Sequence, residues 1–436
     1  MQKQSKNSAL LLTTMDTKQD EAFYLKSCLE DVGIETMIMD AGILGNSPLD
    51  GVSISRKEVA RAAGRNLSKI RSLSSEGEAM NVMVTGATHL ALSMYGRDEI
   101  KGIIGIGGSM GTTLGAGVMR ALPIGFPKMM ISSVASRDTR PFVGTRDLCM
   151  LYSVADIGGL NRITRQILKN GALALAGMVN YSEVDLDTDT EDKTPLTVLS
   201  ALGTSEGCVA NLRQKIEAKG IEVVTFHTTG SGGEAMEKMI REQKLSAVMD
   251  LSLHELMGHH FGGDYDAGPK RCKAILQTGV PTIFAPGNID FLVTGPISEA
   301  EKKFPGRRHH MHNANITCVR TKLNEVQKIG EIVADLCNLS TGRAAVLVPM
   351  LGFSGLDREG APLYNPEGPK VFAEAVKKNL KEKGATAVDT YLETVPFHIN
   401  DPEFVDAVVT ALAKISKIDS LLSDKTMKTD EKESAA

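Results

Sequence analysis

The chain has 436 residues, of which 42% are hydrophobic and 23% are charged, and its formal net charge is −4. This composition is typical of a soluble globular protein of two or three domains, and it gives no reason to expect affinity for nucleic acid or for an anionic membrane. No apolar run approaches the ~18–20 residues that a membrane helix needs, and the run at 9–12 is too short for a signal peptide. Six cysteines without a CxxC pair indicate reduced thiols, so we expect a cytoplasmic protein.

Strand-like and helix-like segments alternate from the start of the chain. An apolar run at 9–13 is followed by a helical pattern at 21–32, which ends at Gly33, and by a second strand-like run at 34–39. The runs are continuously apolar, as in strands of a parallel sheet that are covered on both faces. This rhythm predicts an α/β fold of Rossmann-like units, with mainly parallel sheets and helices on both faces.

The second half of the sequence repeats this order. An apolar run at 197–200 leads into a helical pattern at 208–219, and a further strand-like run follows at 221–226. Gly33-Ile34-Glu35 and Gly220-Ile221-Glu222 occupy the same point of the two patterns. We therefore expect two α/β units of one type, with a ligand-binding cleft between them.

An acidic segment separates the two units. Six of the eleven residues from Ser182 to Asp192 are acidic, which predicts an exposed linker, although an acidic surface loop within one domain remains an alternative. The predicted boundaries are an N-terminal subdomain, an acidic linker, a C-terminal subdomain and a flexible tail, at 1–181, 182–194, 195–421 and 422–436.

A glycine- and hydroxyl-rich segment, Gly105–Gly117, directly follows the strand-like run at 102–104. In an open parallel sheet, ligands bind beyond the carboxyl ends of the strands, where the amides at a helix start attract anions and glycines allow close approach. We predict a phosphate or carboxylate site at Gly107–Thr113, in which Thr112 or Thr113 caps the helix. Glycines that serve only close packing of strand and helix are the alternative.

The loop matches neither common nucleotide fingerprint. Met110 stands where a GxGxxG motif starting at Gly105 needs its last glycine, and no GK[ST] triplet occurs, so the Walker lysine is absent. Another cation must then offset the charge of a transferred phosphoryl group, and the candidates are Lys18, Lys128, Arg137 and Arg140.

Polar residues after the neighbouring strands are expected at the same edge of the sheet. Asp40 ends the second strand, where a carboxylate can accept hydrogen bonds from ribose hydroxyls. The candidate ligand-binding residues at this edge are Asp16, Thr17, Lys18, Asp40, Gly107, Gly108, Ser109, Gly111, Thr112, Ser132 and Ser133. A second glycine-rich loop, 228–234, follows the strand-like run at 221–226 and adds Thr229, Gly230, Ser231 and Gly232.

Histidines concentrate in the second half of the chain, in the segments "HELMGHHFGGDYD", "RRHHMHN" and "FHIND". The first is not the HExxH motif of zinc proteases, because Gly258 replaces the second histidine. The clusters could supply acid–base groups near neutral pH or ligands for a divalent ion, and exposed basic surface is the alternative. We take His312, His398 and Asp401 as catalytic candidates, with His254 as a further acid–base histidine. No specific metal motif supports Mg²⁺ or Zn²⁺.

Several long motifs resemble one family of bacterial, fungal and plant proteins of unassigned activity. They include "GIGGSMGTT", "MDTKQDE", "HNANITCVRT", "VLVPMLGFSGLDREGAPLYNP" and "HINDPEF", in the family's order and over nearly the whole chain. This family is related to the ATP-binding N-terminal domain of the tomato mosaic virus resistance protein. The resemblance implies two α/β subdomains, ATP binding and a tendency to form homodimers.

The resemblance also carries a nucleotide site onto matching positions of this sequence: Asp16-Thr17-Lys18, Gly107-Gly108-Ser109, Gly111-Thr112 and Ser132-Ser133. The family pattern more often has threonine at Ser133, which keeps the hydroxyl, and glycine at Arg137.

Three functions remain open from the sequence. The first is an ATP-using enzyme of small-molecule metabolism, kinase- or ligase-like, with phosphates on the Gly107–Thr113 loop. The second is a metal-dependent hydrolase, lyase or isomerase that uses the His254, His312 and His398 region. The third is a nucleotide-responsive scaffold without turnover. The scaffold would present a surface to a further partner, and the expected partners otherwise are a nucleotide, an unidentified small-molecule substrate and a second copy of the chain.

Overall fold

The computed structural model describes residues 7–45, 50–181, 194–381, 390–416 and 418. The chain divides into two compact units, Met1–Glu191 and Asp192–Ala436. The predicted tail, and the predicted acidic linker apart from its last residue, lie outside the described residues. Among the described helices, none is long and apolar enough to cross a bilayer.

The N-terminal unit is a parallel five-stranded sheet in the order β2-β1-β3-β4-β5. Its strands are β1 Ser8–Thr13, β2 Glu35–Asp40, β3 Gly102–Gly107, β4 Lys128–Ser132 and β5 Cys149–Tyr152. Its helices are α1 Gln19–Glu30, α2 Arg56–Ala62, α3 Leu67–Arg71, α4 Glu76–Gly96, α5 Ser109–Met119, α6 Arg140–Val143 and α7 Arg162–Tyr181.

Both faces of this sheet are covered by helices, which explains the continuous apolar runs. Along β1, Leu10 and Leu12 join the core formed with α2, α4 and α5, whereas Ala9 and Leu11 join the core formed with α1 and α7. Successive side chains of a strand point to opposite faces, so a strand with two buried faces needs apolar residues at every position. Each fully buried leucine contributes about 1.5–3 kcal/mol to this packing.

The C-terminal unit contains a parallel six-stranded sheet and a small antiparallel one, in the orders β14-β13-β9-β8-β6-β7 and β10-β12-β11. The parallel strands are β6 Leu196–Ala201, β7 Glu222–His227, β8 Ala247–Ser252, β9 Thr282–Gly287, β13 Ala344–Pro349 and β14 Thr390–Val395. The antiparallel strands are β10 Phe291–Thr294, β11 His309–Asn313 and β12 Ile316–Arg320. The helices are α8 Glu206–Glu217, α9 Ser231–Glu242, α10 His254–Phe261, α11 Ala274–Thr278, α12 Ile297–Lys303, α13 Leu323–Leu339, α14 Gly368–Asn379 and α15 Pro402–Ile415, with a short 3₁₀ turn at Gly203–Ser205.

The two parallel sheets share one strand order. In each, the second strand lies on one side of the first strand and the later strands lie on its other side, so the order reverses between β1 and β3 and between β6 and β8. The predicted fold class, two Rossmann-like α/β units with parallel sheets, is confirmed. The antiparallel sheet was not predicted, because the histidine-rich sequence of β11 suggests basic surface rather than a strand.

Candidate functional site

The point where the strand order reverses in the N-terminal unit forms a pocket. The loops that follow β1 and β3 meet there at the carboxyl edge of the sheet, the usual ligand position in such folds. The pocket has a volume of about 290 Å³. Its lining residues are Thr14, Asp16, Thr17, Ile43, Leu44, Ile70, Arg71, Leu73, Ser75, Glu76, Ala79, Met80 and Met110.

Apolar side chains dominate the walls of this pocket. Three of them are exposed, with 63% of Leu44, 38% of Leu73 and 41% of Met110 open to solvent. Scattered exposed apolar residues are ordinary, but several that converge on one concavity provide a surface that a flat apolar group can cover. The polar side chains of Thr14, Asp16 and Thr17 complete the lining on the β1 side.

The first turn of α5 adjoins the pocket through Met110. Gly108 is the N-cap residue and supplies no side-chain cap, and the first amide bonded within the helix is that of Thr112, which donates to Gly108 O at 2.8 Å. No side chain among the described residues accepts a hydrogen bond from the amides of Ser109, Met110 or Gly111. A helix start of this kind carries partial positive charge and attracts anions.

Two glycines of this loop differ in their surroundings: one is closely packed and the other is open to solvent or a ligand. A Cβ on Gly107 would lie 2.6 Å from the Cα of Gly111, so Gly107 is required by close packing of strand and helix. A Cβ on Gly108 would meet only the hydroxyl of Ser133, at 3.6 Å. The packing interpretation therefore applies to Gly107, whereas Gly108 faces open space and the anion site there stays a prediction.

Asp40 has a structural role. The side chain is fully buried, and its Oδ1 accepts hydrogen bonds from the amides of Met15 and Gly42 at 3.1 and 2.9 Å. Its Oδ2 accepts from Nε of Arg56 at 2.8 Å. Both carboxylate oxygens are thus committed inside the protein, and Asp40 orders the loops that surround the pocket rather than presenting oxygens to a ribose.

Thr112 and Ser132 are also internal. Both are fully buried, their hydroxyl oxygens lie 2.6 Å apart, and the Ser132 hydroxyl accepts from the amide of Val134 at 3.1 Å. These contacts fasten the first turn of α5 to the end of β4. Thr112 and Thr113 do not cap α5, which begins earlier at Ser109. Ser109 is exposed and Ser133 is half-buried, so these two hydroxyls remain at the edge.

The β1–α1 loop places its side chains differently. Asp16 is mostly buried, and its Oδ2 accepts from the amide of Leu44 at 3.0 Å. The hydroxyl of Thr17 is exposed and lies 3.1 Å from that of Thr14. Lys18 donates to the carbonyl of Thr17 at 3.3 Å, so its ammonium stays close to its own loop.

Two of the candidate cations are held by partners other than a ligand. Lys128 begins β4, at the opposite edge of the sheet, where its Nζ donates to Phe126 O and to Asp147 at 2.8 and 2.7 Å. Burial lowers the pKa of Lys128, and Asp147 opposes that shift. Arg140 is exposed and forms a forked pair with Asp138. The cation that does line the pocket is Arg71, which the sequence analysis missed.

Arg71 is positioned by backbone carbonyls. Its Nε donates to Ile43 O at 2.6 Å and its second nitrogen donates to Gly45 O at 2.7 Å. These bonds hold the guanidinium at the pocket lining. Because both acceptors are neutral carbonyl groups, they do not compensate its positive charge. A signal for it exists in the sequence, because Lys69 and Arg71 follow a run of three earlier cations at Lys57, Arg61 and Arg65.

The second glycine loop binds an anion of the protein itself. The amides of Gly230 and Gly233 at the start of α9 donate to Oε1 of Glu255 at 2.6 and 3.0 Å. A Cβ on Gly233 would lie 1.8 Å from Oε2 of Glu255, so this glycine makes room for the carboxylate. The helix start that was predicted to hold a ligand, with Thr229, Gly230, Ser231 and Gly232, is occupied by Glu255 instead.

Glu255 belongs to a buried ionic cluster around Arg271. The guanidinium of Arg271, 1% exposed, donates to Glu255 at 2.7 Å and to both oxygens of Asp250 at 2.6 and 2.8 Å. Burial opposes its charge, but Asp250, Cys272 and Glu255 outweigh burial and raise the pKa of Arg271 well above its usual value. Burial raises the pKa of Glu255, with Arg271 acting in the opposite direction.

Comparison with known proteins decides the family. Residues 7–184 match the N-terminal domain and residues 194–416 match the C-terminal domain of the uncharacterised protein family UPF0261. The chain belongs to the UPF0261 family. A UPF0261 protein of Clostridium tetani is 35% identical over 403 residues, which cover 92% of this chain and 97% of that protein. A UPF0261 protein of Rhizobium meliloti is 34% identical, with 92% and 98% covered.

A plant protein is also similar to this UPF0261 chain. The ToMV resistance protein Tm-1(GCR237) of Solanum lycopersicum is 33% identical over 319 residues, which cover 73% of this chain and 42% of the tomato protein. The predicted relationship to the family of the tomato mosaic virus resistance protein is thereby confirmed.

His398, at the carboxyl edge of the second sheet, uses both of its ring nitrogens internally. Its Nδ1 accepts from the amide of Asn400 at 3.1 Å, which leaves Nε2–H to donate to Ser354 O at 2.9 Å. Burial lowers the pKa of His398. This arrangement favours a neutral imidazole that joins two loops, rather than the predicted catalytic base.

The other two catalytic candidates lie in different settings. Asp401 accepts from the amide of His398 at 2.8 Å, pairs with Arg358 at 2.6 Å and precedes α15 as its N-cap residue. His312 is exposed on β11. In residues 7–45, 50–181, 194–381 and 390–416, no three His, Cys, Asp or Glu side chains are grouped so that they could hold one metal ion.

His254 is fully buried at the start of α10. Its Nδ1 lies 2.7 Å from Asn288 O, while Nε2 is buried without a hydrogen-bond partner among the described residues. Burial lowers the pKa of His254 to about 4, with the Asn288 bond acting against the shift. The imidazole is therefore neutral at physiological pH.

Two carboxyl groups close to His398 were missed by the sequence analysis. Asp290, three residues beyond β9, accepts from the Ser354 hydroxyl at 2.7 Å, and its other oxygen is buried without a partner among the described residues. Burial and the nearby Asp357 raise the pKa of Asp290 well above its usual value, and burial raises the pKa of Asp357 to about 6. Such groups are the C-terminal unit's best candidates for a general acid.

Proposed function

We propose that the N-terminal unit binds ATP. The base would cover the apolar walls of the pocket between β1 and β3, and the phosphates would lie at the first turn of α5. The observation that carries this proposal is the position of the pocket: it opens where the strand order reverses, beside an 11-residue helix whose first amides no described side chain caps. The resemblance found in the sequence motifs points to the same nucleotide.

One cation beside the two carboxylates of the pocket supports a phosphate-bearing ligand. Arg71 lines the pocket, and an arginine guanidinium offers forked contact with phosphate oxygens. Asp16 and Glu76 are the carboxylates of the pocket lining. Asp16, in the loop after β1, is the one we expect to hold a Mg²⁺ ion that accompanies ATP, since Mg²⁺ is commonly bound by one or two carboxylates together with phosphates.

Thermal denaturation with ATP tests this proposal. An ATP concentration of about 100 times the dissociation constant should stabilise the N-terminal unit by roughly 2.7 kcal/mol. Gly108→Asp introduces a carboxylate at the start of α5, where the nearest side-chain atom is 3.6 Å away, so the variant should fold and lose the ATP-induced stabilisation. Gly177→Asp, on α7 with no atom within 4 Å of its added Cβ, is the matched control and should keep it.

An unchanged ATP response of Gly108→Asp would refute the assigned phosphate position. A wild-type protein that shows no response to ATP would refute the proposal as a whole. If ATP binds, incubation with labelled ATP and candidate small molecules distinguishes an ATP-using enzyme, which releases ADP, AMP or phosphate, from a scaffold that only binds.

A further inference from the structure

A strongly basic groove lies on the helical side of the N-terminal unit. It has a volume of about 950 Å³, near the upper end of the range for small-molecule sites. Five of its nine lining residues are cationic and none is acidic. We call it the basic groove, and its lining residues are Lys57, Arg61, Gly64, Arg65, Asn66, Leu67, Ser68, Lys69 and Arg71.

The exposed cations of the basic groove have no ion-pair partner among the described residues. Lys57, Arg61, Arg65 and Lys69 are exposed, and no described carboxylate forms an ion pair with them. Glu58 interacts electrostatically with Arg61, but its carboxylate already accepts from the amide and hydroxyl of Ser55 at 2.8 and 2.7 Å. The groove therefore presents a concentration of unpaired positive charge in a protein whose net charge is −4.

Local structure gathers these cations. Lys57 and Arg61 stand four residues apart on α2, so they share one face of the helix, although like charges at this spacing repel. The helix then ends in a Schellman turn, in which Arg65 N donates to Ala60 O at 3.0 Å and Gly64 N donates to Arg61 O at 2.9 Å. Gly64 has the positive φ of +71° that this turn needs. The turn brings Arg65 back beside the end of α2.

Arg71 connects the basic groove to the ATP pocket, because it lines both. Its bonds to the carbonyls of Ile43 and Gly45 fix the guanidinium between the two cavities. A ligand in the basic groove would thus lie next to a nucleotide in the pocket.

We propose that the basic groove binds a small molecule that carries several phosphate or carboxylate groups. Three arginines favour forked contacts with such anions. A nucleic acid is disfavoured, because no aromatic residue lines the groove for base stacking. The proposal of an anion site depends only on the residues that line the basic groove. The further proposal that this anion is the second substrate rests on the proposed ATP function.

Calorimetric titration with inorganic tripolyphosphate tests this site. Because tripolyphosphate can also compete for the start of α5, the titration uses the Gly108→Asp chain. We expect binding that weakens as ionic strength rises from about 0.05 to 0.5 M, since salt screens exposed charges. Adding Arg61→Glu and Arg65→Glu together should raise the dissociation constant for tripolyphosphate at least tenfold.

The control reverses the same number of charges elsewhere. Arg162→Glu with Lys169→Glu changes two exposed cations of α7 and should leave the dissociation constant within about twofold of the parent. The Arg61→Glu/Arg65→Glu change in the otherwise wild-type chain should keep the ATP-induced stabilisation, so loss of the groove and loss of the nucleotide site are distinguishable.

Several results would overturn the proposal. These are no tripolyphosphate binding to the Gly108→Asp chain, equal binding by the groove variant, and equal weakening by the α7 control. Tighter binding of a single-stranded oligonucleotide than of tripolyphosphate, abolished by the groove variant, would assign the surface to nucleic acid instead.

Discussion

Arg271→Met should strongly destabilise the C-terminal unit. The methionine keeps much of the apolar volume, but it leaves Asp250 and Glu255 in a buried site without the guanidinium that contacts them at 2.6–2.8 Å. Removing one partner of a buried ion pair typically costs 3–5 kcal/mol, because the remaining charge is uncompensated. Arg271 has two carboxylate partners at direct contact distance, so we expect a loss of about 4 kcal/mol or more.

Hydrogen exchange measured by mass spectrometry, together with urea denaturation followed by circular dichroism, checks this magnitude. Peptides from α9 and α10 should exchange faster in Arg271→Met than in the wild type. Arg97→Met is the control, because Arg97 is exposed and pairs with Glu99 on the surface, where we expect no measurable change. If the free energy of unfolding of Arg271→Met fell by less than 1 kcal/mol, Arg271 would not be needed to compensate the buried carboxylates, and the reasoning would be refuted.

The loss should also depend on pH. Burial raises the pKa of Glu255 and Arg271 opposes that rise, so without Arg271 the pKa of Glu255 in the folded chain should lie further above its unfolded value. The folded chain then binds more protons than the unfolded chain, so stability falls as pH rises through that interval. Arg271→Met should therefore be closer to the wild type at pH 5 than at pH 8. A constant difference across this range would contradict the assignment.

Three further predictions follow from buried groups. Burial lowers the pKa of His254 from 6.5 to about 4, so between these pH values the unfolded chain binds a proton that the folded chain does not. The free energy of unfolding should therefore fall by up to about 3 kcal/mol as the pH drops through this window. In His254→Gln, this part of the pH dependence of stability should disappear. Asp40→Ala should lower the melting temperature and speed exchange of the amides in the loops around the pocket between β1 and β3, because it removes the nearer carboxylate partner of buried Arg56 and leaves only Asp16, at 4.0 Å; unchanged exchange would contradict this. Gly233→Ala should cost about 1–3 kcal/mol by displacing Glu255, whereas Gly177→Ala, with open space on a helix, should be neutral or stabilising in the same urea experiment.

Local pattern sufficed to predict the sheets. The apolar run at 9–13 became β1, Ser8–Thr13, because buried parallel strands need apolar residues on both faces. The helix expected at 21–32 is Gln19–Glu30, a difference of two residues at each end, where helices fray. The small sheet with β11 was missed because its strand is polar, exposed and short, and only pairing with β12 makes it a strand.

The candidate site could be predicted only where the fold class and the position of a residue after a strand are enough to place that residue. The loops after β1 and β3 meet because strand order places them together, so Asp16 and Thr17 were found. By contrast, the loop at Gly230 looks like an anion site in the sequence, and only the tertiary position of Glu255 shows that its amides are already bonded. Asp40 likewise sits at the expected edge, but its burial depends on Arg56, which no local pattern reveals.

The start of α9 is bonded to the carboxylate of Glu255, whereas the start of α5 has no such bond from a described side chain. A helix start that is already bonded to a carboxylate of its own chain does not need an anion from solution. No described side chain occupies the start of α5 in this way, so on the proposed function the N-terminal unit would gain stability when an anion binds there. On that proposal, an added anion should raise the melting temperature of the N-terminal unit by acting at α5, and the start of α9 should give the C-terminal unit no comparable response.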